Sequence, residues 1–575
     1  MSKDFWAMAT GRMPADVRID NVRIVDVFSG EIRDGSVSVG QGRILGFEGF
    51  DAREVVDGGG RWLLPGLIDG HVHIESSMLW PARFAELVLP FGTTTVVADP
   101  HEIANVTGMD GIRYMLKASK DLPLDVRIML PSCVPALPVE DAGAVLRAED
   151  IAPMLSEEKV GGLAEMMNVP GLMAGDDDVL EKMSRTLAAG KVIDGHSPMV
   201  SRETLEACAA LGIRTDHECT TVKEMEERIA CGMYVLLREG SASRDLLHLL
   251  PGLTPGNQRR CLFCTDDRQP SDILERGHII NNVRMAVRFG LDPVSAVRMA
   301  TLNAAECYGL RDRGGIAPGM RADLVLVEDL QDFRVLSCWA GGELVARNGK
   351  MLRTLAAVDP GKLCSSVVLA PLPEKPFSVR VPSGRARVIG LRPHSLITEC
   401  LVRSVETGPD GEVDMARNPG LIKLAVLERH HATGKIGTGL LDGRYGLKNG
   451  AIATTIAHDS HNIVVAGDND ADMLFAVREV ERMEGGIVMV SDSRVLASLP
   501  LPVGGLMSER PAAEVSARLN ELFVLASSHY HIWEDADAFM TLSFLALPVI
   551  PSLKLTARGL FDVDRFSFVD VDAAR

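Results

Sequence analysis

From residue 67 to about residue 305 the chain repeats one pattern eight times: an apolar run rich in β-branched residues, ending in a polar cluster and mostly followed by a helix-like stretch. The runs end in LIDGHVH (71–73), TVVADPHE (99–102), VRIMLPS (130–132), GGLAEMM (165), VIDGHSP (196), IRTDHEC (217), YVLLREG (238) and LFCTDD (266). Strands apolar on both faces and separated by amphipathic helices predict a parallel sheet with right-handed crossovers. One such helix is expected over Thr221–Cys231, where Thr221 and Glu224 have the spacing of a capping box. Eight units predict a closed (β/α)8 TIM-like barrel, whose chemistry gathers at the carboxyl ends of the strands, where the polar clusters fall.

The flanks read differently. The first 65 residues alternate in short β-like runs broken by glycines, and the pattern returns after residue 310 in GGIAPGMRADLVLVE and VLSCWAGGELVARNGK. Residues 1–66 with 306–370 are therefore expected to form a small composite β-sandwich domain, with the barrel of residues 67–305 inserted in it. The proline-rich PLPEKP (371–376) then separates a C-terminal α/β domain, 377–575, which mixes strand runs (GAIATTIA, NIVVAGD, GGIVMV) with helical ones (DADMLFAVREVERM, AEVSARLNELFVLA). The fold class is α/β.

Composition narrows the function. The 575 residues carry 60 basic and 78 acidic side chains, a net charge of −18 that repels a phosphate backbone or an anionic membrane surface. Nucleic acid and membrane are not expected partners. The longest uncharged apolar stretch, Ala538 to Leu553, contains Pro548 and Pro551 and reads as buried core. The N-terminal residues have no apolar run of signal-peptide kind, and ten irregularly spaced cysteines suit reduced thiols, so a cytoplasmic location is expected. Cys261 and Cys264, though at redox spacing, sit in an apolar run and are expected to pack in the core.

The chemistry lies at the run ends. His71 and His73, two apart on a strand, point to the same side, where both imidazoles can bind one metal ion. Glu165, His196, His217 and Asp266 end later runs, so six metal-binding side chains are expected on one rim. That exceeds the three protein ligands of a single catalytic zinc-like ion. Two ions bridged by the carboxylate of Glu165 fit better, with an activated water between them as nucleophile. An all-N/O set suits manganese, iron(II) or zinc.

These residues carry a family resemblance over nearly the whole chain. RIVDVFSGEI, PGLIDGHVHIESSM, ADPHEIANV, AEMMNVPG, DGHSP, TDHE, CTDDR and IAHDSHNIVVAGDND resemble the amidohydrolase superfamily and, within it, the bacterial-type adenine deaminases. Many superfamily members carry a carboxylated lysine where this chain has Glu165, which points away from hydantoinases and dihydroorotases. The resemblance implies hydrolytic deamination of adenine to hypoxanthine and ammonia, in purine salvage, at a binuclear manganese- or iron-type centre. Deamination needs a proton donor at the ring edge as well as a nucleophile. Glu102 is the candidate donor, Asp266 the acceptor of the nucleophile's proton, and His217 the group that orients attack or stabilises the adduct; Asp99 and His101 flank Glu102 as partners or further ligands. The alternative is hydrolysis of a cyclic amide or N-acyl group by the same centre. A metal-free scaffold is disfavoured because all six ligand positions are filled. A homodimer is expected from base rates and the resemblance.

Other signals are set aside. His458 and His461 in IAHDSHN, and His529 and His531 in SSHYHIW, are assigned surface, loop or interface roles, with Asp459 and Asp468 keeping a second metal site open. The run GTGLLDG lacks the acidic residue about 20 positions on that a dinucleotide fingerprint needs.

Overall fold

The computed structural model describes residues 2–241, 243–392, 395–533 and 537–575. Its central body contains eight parallel strands: β1 (Leu67–Val72), β2 (Thr93–Ala98), β3 (Asp125–Leu130), β4 (Val160–Met166), β5 (Val192–Gly195), β6 (Thr215–Asp216), β7 (Tyr234–Arg238) and β8 (Cys261–Cys264). They pair in order as β1 to β5 and as β6 to β8. Two seams join the groups into a barrel. Arg214 N–H donates to the carbonyl of Ile193 at 2.8 Å between β5 and β6, and Asp266 N–H donates to the carbonyl of His71 at 2.9 Å between β8 and β1. At the first seam Gly195 is required by space, because a Cβ there would lie 2.3 Å from the Thr215 carbonyl oxygen.

The strands are buried along nearly their whole length, as helix-covered parallel strands must be. Helix Val222–Ala230 carries the expected capping box of Thr221 and Glu224. The two ends of the chain meet beside the barrel. Strand Ala52–Pro65 leads into β1, and the returning strand Leu324–Val327 pairs antiparallel with it, Leu324 opposite Pro65 and Val325 opposite Leu64. These strands belong to one hydrogen-bonded sheet of eight, with Ile19, Val37, Leu63, Leu324 and Trp339 in its core.

The C-terminal domain is built on a second eight-stranded sheet, largely antiparallel, with helix Asp470–Arg482 packed on strands Ala451–Thr454 and Gly486–Ser491. It touches the barrel mouth directly. Lys435 pairs with Asp141 at 2.7 Å and Arg558 with the same carboxylate at 3.0 Å, pinning the loop that follows β3. Across the same boundary Trp80 N–H donates to the Ser508 carbonyl at 3.1 Å and Ser508 N–H to the Met78 carbonyl at 2.8 Å. Among the described residues no helix is long and apolar enough to cross a membrane. All ten cysteines are unpaired, with Cys261 and Cys264 buried in β8.

Candidate active site

The carboxyl ends of five barrel strands deliver polar side chains to one point. His71 lies on β1 and His73 follows it; Glu165 lies on β4; His196, His217 and Asp266 come immediately after β5, β6 and β8. Asp69 secures the β1–β8 corner by accepting from Thr265 N–H at 3.1 Å and from the Thr265 hydroxyl at 2.5 Å. Asp266 takes a left-handed backbone conformation, φ 57°, which aspartate adopts more readily than most side chains. The six residues expected on the rim therefore come together.

Glu165 divides them. Its Oε1 lies 3.4 Å from His73 Nε2 and 4.0 Å from His71 Nε2, and its Oε2 lies 2.7 Å from His196 Nδ1 and 3.2 Å from His217 Nε2. Asp266 Oδ1 faces the first group, 3.1 Å from His73 Nε2 and 3.4 Å from His71 Nε2. His101 Nδ1 stands 3.5 Å from Glu165 Oε1 and 3.0 Å from Asp99 Oδ2.

Two observations show that this set suits cations. The ring nitrogen Nδ1 of His73 lies 3.0 Å from the carbonyl of Asp99, which only accepts, so Nδ1 bears a proton and Nε2 is the nitrogen that faces the carboxylates and would ligate once its own proton is displaced. Both ring nitrogens of His71 are buried without a hydrogen-bond partner, a desolvation cost of roughly 1–3 kcal/mol for each that coordination relieves on one side. The electrostatics agree. Burial opposes charge on every member, yet the neighbouring histidines hold Glu165 and Asp266 well below the usual carboxylate range, and the carboxylates hold His73, His101 and His217 well above the usual imidazole value. Such protons are the ones a cation displaces.

Several site residues were not singled out from the sequence. Arg238, at the end of β7, joins Asp266 Oδ2 at 3.0 Å, Asp245 at 2.9 Å and Glu218. Glu218 reaches His217 at 3.3 Å and His196 at 3.7 Å. Asp267 accepts from the Ser76 hydroxyl at 2.5 Å. The end of the seventh run was visible; that its arginine would brace the eighth run's ligand was not.

Glu102, in the first turn of helix His101–Thr107, faces out of the barrel toward the C-terminal domain. Its Oε1 lies 2.7 Å from His458 Nδ1, and its Oε2 is in contact with His461 Nε2. Both histidines are buried at the domain boundary, so their interface role reaches the site itself. Against burial, they and His101 hold Glu102 well below the carboxylate range, while Glu102 and Asp267 keep His458 up at about 9. Above the rim a cavity of about 370 Å³ has Met167, Pro198 and Met199 on the barrel side and Leu396, Phe544, Leu547 and Ile550 on the C-terminal side.

A parallel barrel with histidine and carboxylate groups at its carboxyl rim defines an amidohydrolase, and residues 62–345 match the model of the Amidohydrolase family. Residues 395–567 match the Adenine deaminase C-terminal domain. The adenine deaminase of Nitratidesulfovibrio vulgaris (strain Hildenborough) is 59% identical over 99% of this chain and 98% of its own length. Adenine deaminase 2 of Carboxydothermus hydrogenoformans is 46% identical over 99% of each chain, and the adenine deaminase of Clostridium acetobutylicum 43% over 98% of each. The chain belongs to the adenine deaminase family of amidohydrolases.

Proposed function

We propose that the protein hydrolyses adenine to hypoxanthine and ammonia, in cytoplasmic purine salvage, with two divalent cations, manganese first among them. The observation that carries this reading is the division of Glu165, each oxygen of which faces its own histidines. In this reading His71, His73, Glu165, His196, His217 and Asp266 hold the ions. When bound, the ions supply the Lewis acidity that makes water a nucleophile at neutral pH.

The rest of the chemistry belongs to side chains. Carbon 6 of adenine is a poor electrophile until the adjacent ring nitrogen gains a proton, and Glu102, an ionised carboxylate set to one side of the histidine rim, is the group we assign to take a proton from water and relay it there. Arg238 occupies Asp266 Oδ2, which leaves Oδ1 to receive the proton of the attacking water. His217, stacked on His71 at 4.2 Å between ring centroids, is held in one orientation from which it supports the adduct. The apolar walls suit a flat, uncharged purine, and the unpaired cysteines fit a reducing compartment.

The test is ammonia release from adenine, adenosine, guanine and cytosine, alongside ring opening of a cyclic amide, by protein loaded separately with manganese, iron(II) and zinc. Turnover of adenine above all others is expected. Ring opening of the cyclic amide with adenine untouched would overturn the reading.

A further inference from the structure

An ionised carboxylate buried at a domain boundary needs several donors, since its two oxygens offer about four acceptor positions. The barrel supplies Glu102 with little. Its nearest barrel donor, His101 Nε2, stands at 3.5 Å, beyond a good hydrogen bond. The close partners come from the C-terminal domain, His461 Nε2 hydrogen-bonded to one oxygen and His458 Nδ1 ion-paired with the other at 2.7 Å.

Both partners are held rigidly. The Nδ1 of His461 accepts from Ala457 N–H at 3.1 Å, which fixes the ring proton of the neutral imidazole on Nε2, facing Glu102. The backbone at His461 is left-handed, φ 51°, and its carbonyl accepts from the buried Arg429. The His458 ring stacks on Phe544 at 4.5 Å between centroids. The same three side chains have the makings of a cation site. The tautomer of His461 argues for a clamp instead, because a cation would need the Nε2 lone pair where the proton sits.

We propose that His458 and His461 are positioning residues, a two-point clamp from the C-terminal domain that fixes the Glu102 carboxylate at the angle from which it takes a proton from water and passes that proton to the ring nitrogen. This rests on the adenine deaminase reading and gives the third domain a part in the chemistry. It also explains why the pair is buried rather than spread over the surface.

The experiment uses the geometry of the two rings. An asparagine amide reproduces the position of Nδ1 and a glutamine amide that of Nε2. In the full-length, manganese-loaded enzyme, His458→Asn and His461→Gln should therefore keep kcat for adenine within about 10-fold, while His458→Gln and His461→Asn should lose about 100-fold or more, with KM little changed. All four should keep the wild-type manganese content and melting temperature. Equal losses in the matched and mismatched variants, or no loss in any, would overturn the clamp, as would a stoichiometric loss of manganese with His461→Asn. A second readout needs no turnover: two strongly downfield imidazole N–H resonances in the wild type, one removed by each histidine substitution and both by Glu102→Ala. Should wild-type enzyme leave adenine untouched while these resonances behave as stated, the substrate reading fails and the clamp stands; their absence would sink the clamp.

Discussion

Replacing Glu165 with glutamine removes the full negative charge of the carboxylate from the middle of the histidine cluster and changes almost nothing in size. In the metal-free protein Oε2 accepts from His196 at 2.7 Å and lies 3.2 Å from His217. Charge-assisted hydrogen bonds contribute about 1.5–3 kcal/mol each, so the two together are worth roughly 3–6 kcal/mol, offset in part because a neutral amide is cheaper to bury. The fold should survive such a loss, since the barrel strands and seams do not involve this side chain. Metal binding should not. Changes to groups that merely orient ligands already cost 10- to 100-fold in affinity, so losing the shared anionic group should cost more than about 100-fold. The assay is elemental analysis after dialysis against buffer with defined free manganese, with circular dichroism as the control for folding. A folded Glu165→Gln protein that retains two manganese ions per chain at wild-type affinity would refute the bridging role.

Three further outcomes are expected. Glu102→Gln should bind manganese like the wild type and lose about 10²- to 10⁴-fold in kcat, the usual range for a proton-transfer group; steady-state turnover near wild type would remove Glu102 from the reaction. Arg238→Lys keeps the charge but not the planar fork that joins Asp266, Asp245 and Glu218, so metal content should hold while kcat falls about 10- to 100-fold, and unaltered kinetics would count against the brace. Asp125 is buried, and Arg313, Arg127 and Lys159 overcome that burial to hold its carboxyl far below the usual range. With the folded value depressed, its stabilisation is fully present above the unfolded pKa of about 3.9 and is lost as pH falls from there. Asp125→Asn should cost about 3–5 kcal/mol near neutral pH because Arg313 stays buried without its partner, and the gap from wild type in denaturant unfolding should narrow below about pH 4; a gap that stays constant with pH would contradict the ion-pair account.

The barrel and its rim were readable in the sequence for one physical reason: each functional group sits at the end of the strand that carries it. A buried parallel strand must be apolar along its length, so the first polar residue after the run marks the carboxyl end, and His73, His196, His217 and Asp266 follow their strands within a residue or two. The two ends of the chain share an alternating pattern that differs from the uniform apolarity of the barrel strands, and in the structure they lie in one eight-stranded sheet. The reading was weaker for residues that act on a ligand instead of being one. Arg238 ends its run like the others, but an arginine at a strand end has no distinctive spacing, and its role depends on Glu218 and Asp245 lying within reach.

The histidines of the last domain expose the deeper limit. His458 and His461 stand three apart, a spacing that means nothing without a third group, and the third group is Glu102, more than 350 residues earlier in the chain. Periodicity reports which face of an element is buried, not which distant surface it will be buried against. What brings the two together is the docking of one domain on another through the ordinary charged residues Asp141, Lys435 and Arg558 and through backbone hydrogen bonds at Trp80 and Ser508, which no side-chain pattern announces. A site completed across a domain boundary is therefore half legible by construction: the rigid scaffold announces its own ligands, and the partner domain's contribution reads as a polar loop until the interface is formed.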